Sequence, residues 1–150
     1  DSETLSSSMF WHTSYAIIHA CNQNIELMTV GESLETDHII GECYFLRALC
    51  HLNLVNLYAT PYSRGPEKLG VIVRTSTDLS STVRSTVGQV YDQIVSDLNK
   101  AARLMKNGKR RGDAGYVSYD AARGLLSAHA HRARRPYRSR AYGPQHRSHR

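Results

Sequence analysis

The sequence predicts an all-α fold in which four helices form two pairs. Apolar residues recur at steps of three and four residues through several long segments, which is typical of amphipathic helices. Gly, Pro and Asn cluster between those segments, where they end one helix and separate it from the next. The length of 150 residues suits a single domain with a core of its own.

The first pair covers residues 6–30 and 37–58. Trp11, Tyr15 and Ile18 begin an apolar face on the first helix, and Gly31 is the expected stop after it. The second helix is apolar over most of its circumference. We expect it to be packed between two neighbours, because a helix on the surface has a single apolar face.

A loop and a short extended segment are predicted between the pairs. Residues 59–70 contain two Pro and two Gly, which break a helix. Residues 71–77, VIVRTST, are rich in β-branched side chains and can form a short extended stretch.

The second pair begins at Thr86, because Gln89 lies three residues later and this is the spacing of a capping box. Asn107 and the following Gly should end that helix. Ser118 is the expected N-cap of the fourth helix.

The net charge of +6 comes from the C-terminal tail. Of the 19 basic residues, seven are Arg between residues 129 and 150, so residues 1–128 hold 12 basic residues against 13 acidic ones. We therefore divide the chain into a helical region, 1–127, and a basic tail, 128–150. The tail has no large aliphatic residue and is expected to be disordered. Its abrupt change of composition also suggests a frameshift, which sequencing the encoding DNA around Ser127 would test.

No motif for catalysis, a metal or a cofactor is present in the sequence. It lacks HExxH, GxGxxG, GxxxxGK[ST] and GxSxG, the patterns of zinc, dinucleotide, phosphate and hydrolase sites. Cys21, Cys43 and Cys50 occupy helical positions among apolar residues, which favours small buried side chains over a disulfide or metal site. No stretch is long and apolar enough to be a membrane span.

Four blocks of the sequence resemble the N-terminal part of the SusD/RagB family of outer-membrane nutrient-binding lipoproteins. The second and third blocks, in this order and spacing, are specific to the family. The blocks are WHTSYAIIHACNQNIELM, GECYFLRALCHLNLVNLYATPY, LGVIVRTS with VRSTVGQVYDQIVSDLNKAARLM, and GYVSYDAARGLLS. The resemblance covers residues 8–127 and ends where the basic tail begins.

The resemblance implies a fold and a function. The helices would form tetratricopeptide-like pairs, an α-α superhelix that serves as the scaffold fragment of a longer SusD-like protein. The whole protein would be surface-exposed on the outer membrane, held there by a lipid anchor that this sequence does not contain. It would bind an oligosaccharide or another nutrient and deliver it to a SusC-type TonB-dependent transporter, without catalysis and without a cofactor.

Two other functions remain open on the residues alone. Paired amphipathic helices are also typical of helical-repeat modules that bind other proteins. The Arg-rich tail could contact nucleic-acid phosphates, but its basic residues do not alternate with a stacking platform, so nucleic acid is not a predicted partner.

One structural contact is predicted for the second helix. Arg47 lies among apolar residues, and Asp97 on the third helix is the matching carboxylate. We expect the two to pair and to join the helix pairs, because a buried guanidinium without a partner is costly.

Five residues are candidates for ligand binding. Trp11 and Tyr15 could stack on a sugar, although aromatic residues at helical spacing lie in a core more often than in a binding site. Tyr58, Tyr62 and Arg64 flank the loop after the second helix, and loops carry binding residues more often than helix faces do.

Overall fold

The computed structural model describes residues 2–107 and 117–133, and within them it confirms the all-α fold. Four α-helices are present, and the described residues include no strand. A single 3₁₀ turn, Tyr62–Arg64, follows the second helix. The helices are α1, Ser2–Leu27; α2, Leu34–Tyr58; α3, Val87–Met105; and α4, Tyr119–Ala133.

The turn between α1 and α2 differs from the sequence prediction. Helix α1 ends at Leu27, before the β-branched Thr29 and Val30, which have low helix propensity. Gly31 therefore lies in the turn rather than directly after the helix, where its φ of 89° suits a residue without a Cβ. Helix α2 begins at Leu34, because the Ser33 hydroxyl accepts the Thr36 N–H at 3.0 Å and so caps the helix.

The predicted starts of the second pair are confirmed. The Thr86 hydroxyl accepts the Gln89 N–H at 3.2 Å, and the Gln89 side chain accepts the Thr86 N–H at 2.9 Å, which completes the capping box. The Ser118 hydroxyl accepts the Ala121 N–H at 3.2 Å. Helix α3 ends at Met105, two residues before the predicted stop at Asn107.

Helix α2 lies at the centre of the fold, in contact with α1 on one side and α3 on the other. This arrangement confirms the prediction that a helix with apolar residues over most of its circumference is packed between neighbours. Helix α4 packs against α3. The approach of α2 to α3 is close at Gly41, where an added Cβ would lie 2.6 Å from Met105 Cγ.

Residues 71–79, which we call the strap, have no regular secondary structure, bend at residues 76–77 and contact both α1 and α2. The strap is not a strand, since the described residues contain only one isolated bridge, between Leu69 and Thr86. Side chains hold it instead of a β-ladder. Tyr15 and Asn22 of α1 donate hydrogen bonds to its carbonyl oxygens, and Glu26 accepts two from Thr77.

Helix α4 continues beyond the predicted boundary at residue 127. It ends at Ala133, so the first six residues of the predicted disordered tail are helical. Three of these six are Ala, the residue with the highest helix propensity. Residues 134–150, on which the rest of the disorder and frameshift prediction falls, lie outside the described residues. Within the described part, no helix combines the length and apolarity needed to cross a membrane.

Candidate functional site

The Arg47 side chain lies in the interior of the fold and pairs with Asp97. Arg47 is 2% exposed and Asp97 is fully buried. Arg47 Nε donates to Asp97 Oδ2 at 2.8 Å, and Nη2 donates to Oδ1 at 2.7 Å. This two-pronged geometry matches the planar guanidinium to the carboxylate. The contact predicted from the sequence is therefore present; its contribution to stability stays a prediction.

Two further elements join this pair. Arg47 Nη1 donates to the Asn22 side-chain oxygen of α1 at 2.7 Å and to the Thr75 carbonyl oxygen of the strap at 3.1 Å. Gln93 donates to the Asp97 carboxylate at 2.9 Å. The Arg47 guanidinium, which belongs to α2, thus contacts α1, α3 and the strap. We call Asn22, Arg47, His51, Thr75 and Asp97 the central network.

His51 is a neutral member of the central network. Its Nε2 accepts the Arg74 backbone N–H at 3.2 Å, and Nδ1 lies 3.0 Å from the Arg47 carbonyl oxygen. With Nε2 accepting, Nδ1 carries the proton and donates it to that oxygen. Burial lowers the pKa of His51 to about 4, because a charged imidazolium is poorly solvated in the interior.

The three cysteines are buried, as predicted, with exposures of 4% for Cys21, 8% for Cys43 and 9% for Cys50. A hydrogen bond with Cys43 and burial both raise the pKa of the Cys21 thiol. Burial alone raises the pKa of Cys50. The hydrogen bond with Cys21 lowers the pKa of Cys43, whereas the raised pKa values make Cys21 and Cys50 poor nucleophiles. Across residues 2–107 and 117–133, no set of three or more His, Cys, Asp or Glu side chains could hold a metal ion.

Three of the five ligand-binding candidates form an aromatic cluster. The Trp11 ring centroid lies 5.0 Å from that of Tyr15 in a tilted arrangement, and 4.9 Å from that of Tyr58 in an edge-to-face arrangement. Both distances are in the range of favourable aromatic pairs. All three side chains are half-buried and pack against the core, so the cluster joins α1 to the end of α2.

The tyrosine hydroxyls of this cluster already have partners. The Tyr15 hydroxyl donates to the Ile72 carbonyl oxygen of the strap at 2.8 Å, and burial raises its pKa to about 12. The Tyr58 hydroxyl donates to the Ser7 carbonyl oxygen and accepts from the Ser7 hydroxyl at 3.1 Å. The hydrogen bonds of Tyr15 and Tyr58 therefore hold the cluster in place. The apolar ring of Trp11 lies between two surface grooves.

Trp11 lines both grooves, which open on the surface on either side of the cluster. The N-terminal groove has a volume of about 530 Å³. The strap groove has a volume of about 400 Å³. The N-terminal groove is lined by Thr4, Ser7, Ser8, Trp11 and Tyr58; the strap groove is lined by Trp11, Tyr15, Ala16, His19, Ile72, Arg74 and Leu79.

The other two candidates lie elsewhere. Tyr62 contacts Tyr91 of α3 edge-to-face at 5.1 Å, and Arg64 is exposed at the end of the 3₁₀ turn. Neither lines the N-terminal groove or the strap groove. The structure thus brings together Trp11, Tyr15 and Tyr58 but not the remaining pair.

Sequence reasoning missed the polar residues of the strap groove, His19 and Arg74. His19 Nδ1 is buried without a hydrogen-bond partner in the described part of the chain. The Arg74 guanidinium makes one long hydrogen bond, 3.4 Å, to the Asp78 carbonyl oxygen. The available signal was weak: Arg74 is a lone cation in an apolar extended segment.

The paired amphipathic helices of the described residues are typical of a helical scaffold. The family follows from comparison with known proteins. A family model described as SusD-like, "starch-binding associating with outer membrane", matches residues 1–129. The chain therefore belongs to the SusD-like family, as its sequence motifs indicated. No curated protein matches the chain.

Solved structures share the fold. A SusD superfamily protein from Bacteroides thetaiotaomicron is 34% identical, with a TM-score of 0.68 over 79% of this chain and 27% of that one. A protein titled a putative sugar binding protein, from Bacteroides vulgatus, is 26% identical, with a TM-score of 0.73 over 84% and 29% of the two chains. A SusD-like carbohydrate binding protein, also from Bacteroides vulgatus, is 24% identical and has a TM-score of 0.74 over 85% and 28% of the two chains. This chain therefore spans less than a third of the length of these relatives.

Proposed function

We propose that this chain is part of a protein that binds oligosaccharides at the outer-membrane surface and passes them to a SusC-type TonB-dependent transporter without catalysis. Membership of the SusD-like family supports this proposal. The observation that carries it is the position of Trp11, whose ring lines two surface grooves. Sugar rings have apolar faces that pack on aromatic side chains, while their hydroxyls need polar partners such as those in these grooves.

Binding can be tested with the full 150-residue chain by native electrophoresis in gels that contain a soluble polysaccharide, starting with starch. We expect at least one polysaccharide to retard the protein. Ala16 is exposed and lines the strap groove, so Ala16→Trp should fill the groove without disturbing the core. We expect the affinity to fall about tenfold, equivalent to about 1.4 kcal/mol.

Ala20→Trp is the matched control, because Ala20 is exposed one turn further along α1 and lines neither groove. It should bind like the unmodified chain. The proposal of glycan binding is wrong if the chain unfolds cooperatively, and so is folded, yet no polysaccharide retards it. Chromatography of an oligosaccharide before and after incubation with the protein tests the absence of catalysis, and co-purification with the transporter tests delivery.

A helical-repeat module that binds another protein is the second candidate. The observation in its favour is an apolar stripe on the first turns of α1, where Leu5 is 67% exposed and Met9 is 69% exposed. These residues are four apart and so lie on one face of the helix. Replacing both with Gln should abolish binding of a protein partner and leave retardation by polysaccharide unchanged.

A further inference from the structure

The strap groove differs from the N-terminal groove in its charge. Its volume of about 400 Å³ lies within the usual range of small-molecule sites, about 300–1,000 Å³. Trp11 and Tyr15 form an aromatic wall, and Ile72 and Leu79 add apolar surface from the strap. Among the described residues, Arg74 is the only permanently charged one that lines this groove, and none of those lining the N-terminal groove is charged.

The Arg74 guanidinium retains capacity to bind an anion. Its one hydrogen bond in the structure, to the Asp78 carbonyl oxygen, is long at 3.4 Å. A guanidinium has five N–H donors in a planar fork, so most of them remain for a ligand. Arg74 is half-buried, which strengthens its electrostatic interactions relative to those of a fully solvated side chain.

Two carboxylates near the groove, those of Glu26 and Asp78, already accept hydrogen bonds from other residues of the protein. Glu26 accepts hydrogen bonds from the Thr77 N–H at 2.8 Å and hydroxyl at 2.6 Å. Asp78 accepts from the Ser80 N–H at 2.8 Å and hydroxyl at 2.9 Å. Asp78 attracts Arg74 electrostatically, but neither carboxylate lines the groove.

His19 supplies a second polar group on the α1 side. Its Nδ1 atom is buried and has no hydrogen-bond partner among the described residues. Because this nitrogen is buried, a ligand in the groove would reach it only after the His19 ring had moved. The groove therefore combines an aromatic wall and a cation.

We propose that the strap groove binds an acidic sugar residue, a uronate, whose carboxylate pairs with Arg74 while its ring packs on Trp11. Arginine is well suited to carboxylates because two parallel N–H donors meet the two oxygens. The inference rests on the proposed glycan-binding function and specifies that the glycan is negatively charged.

Isothermal titration of the full chain with oligogalacturonate and with a neutral maltooligosaccharide tests the inference. We expect tighter binding of oligogalacturonate, weakened by added NaCl because the attraction is electrostatic. Arg74→Gln should weaken that binding about tenfold or more and weaken the binding of a neutral sugar by a clearly smaller factor. Arg103→Gln is the matched control, since Arg103 is exposed on α3 and does not line the groove.

A second pair of variants leaves Arg74 in place. Ala16→Glu puts a negative charge at an exposed position of the groove, and Ala16→Gln adds a neutral side chain of almost the same size. Ala16→Glu should weaken oligogalacturonate binding several-fold more than Ala16→Gln does. Sulfated dextran in a third titration separates a uronate site from a general anion site, and tighter binding of the sulfate ester would overturn the uronate proposal.

The remaining outcomes separate the two proposals. If the chain binds the neutral sugar equally well or better, or if Arg74→Gln has no effect, the acidic-sugar inference fails and the glycan-binding function stands. If the folded chain binds neither sugar and no polysaccharide retards it, both fail.

Discussion

The central network and the strap groove each contain one arginine, but the two guanidinium groups differ in how many hydrogen bonds they make within the protein. Arg47 is buried and makes four hydrogen bonds at 2.7–3.1 Å, two of them to Asp97. Arg74 is half-buried and its side chain makes a single long hydrogen bond in the structure. The same residue type is thus fully engaged in one region and largely available in the other.

This difference indicates which region supports the fold and which can bind a ligand. A buried charge must be paired within the protein, because leaving it unpaired costs several kcal/mol. A partly solvated charge can remain unpaired at low cost, since water solvates it until a ligand arrives. We therefore expect substitutions in the central network to change stability and substitutions in the strap groove to change binding.

The largest effect is expected for Asp97→Asn. The variant keeps the size of the side chain but removes the counter-charge of Arg47 at a fully buried position. Removing one partner of a buried ion pair typically costs about 3–5 kcal/mol. Urea unfolding, followed by circular dichroism, should show this loss in the free energy of unfolding.

Asp92→Asn is the control for that experiment, because Asp92 is exposed on the same helix. Its free energy of unfolding should change by less than about 0.5 kcal/mol. If Asp97→Asn were as mild as this control, the ion pair would contribute little to the stability of the fold.

A smaller effect, dependent on pH, is expected from His51. Its pKa is lowered to about 4 in the folded protein, against about 6.5 in an unfolded chain. Between these two values the unfolded state binds more protons, so stability falls as the pH falls from about 6.5 to 4. The loss amounts to about 3 kcal/mol across the window, and protonation would also remove the acceptor at Nε2 for the Arg74 N–H.

His51→Gln provides the comparison for the pH experiment. Glutamine does not titrate, so the variant should be less stable at pH 7 but lose less stability on acidification from pH 6.5 to 4. Urea midpoints at half-unit steps of pH would show this as a shallower slope. Equal slopes for the two proteins would mean that another group causes the acid sensitivity.

Local signals in the sequence predicted much of the fold. The capping box of Thr86 and Gln89 and the N-cap at Ser118 need only residues that are close in the chain, and both were correct. Arg47 and Asp97 are 50 residues apart, yet their contact was predictable because a lone cation in an apolar helix requires a buried acid. The start of α2 was placed too late because Ser33 was not recognised as its N-cap.

The candidate site was less predictable because its parts meet only in the folded chain. Tyr58 was grouped with Tyr62 because both flank the loop after the second helix, but Tyr58 contacts Trp11 of α1 whereas Tyr62 contacts Tyr91 of α3. The strap is held by side chains that bond to its backbone carbonyls. Those carbonyls are the same for every residue type, so the sequence of the strap does not indicate where it lies.

The smallest effect on stability is expected for Arg74→Gln. The substitution removes a half-buried charge that makes one weak side-chain hydrogen bond, and it keeps the backbone N–H that donates to His51. We expect the free energy of unfolding to change by less than about 0.5 kcal/mol, as measured by urea unfolding at pH 7. Arg47→Gln, the same chemical change inside the central network, should lose several kcal/mol in the same assay. Similar losses for the two variants would mean that Arg74 supports the fold as Arg47 does, and the distinction between a scaffold arginine and a binding arginine would be wrong.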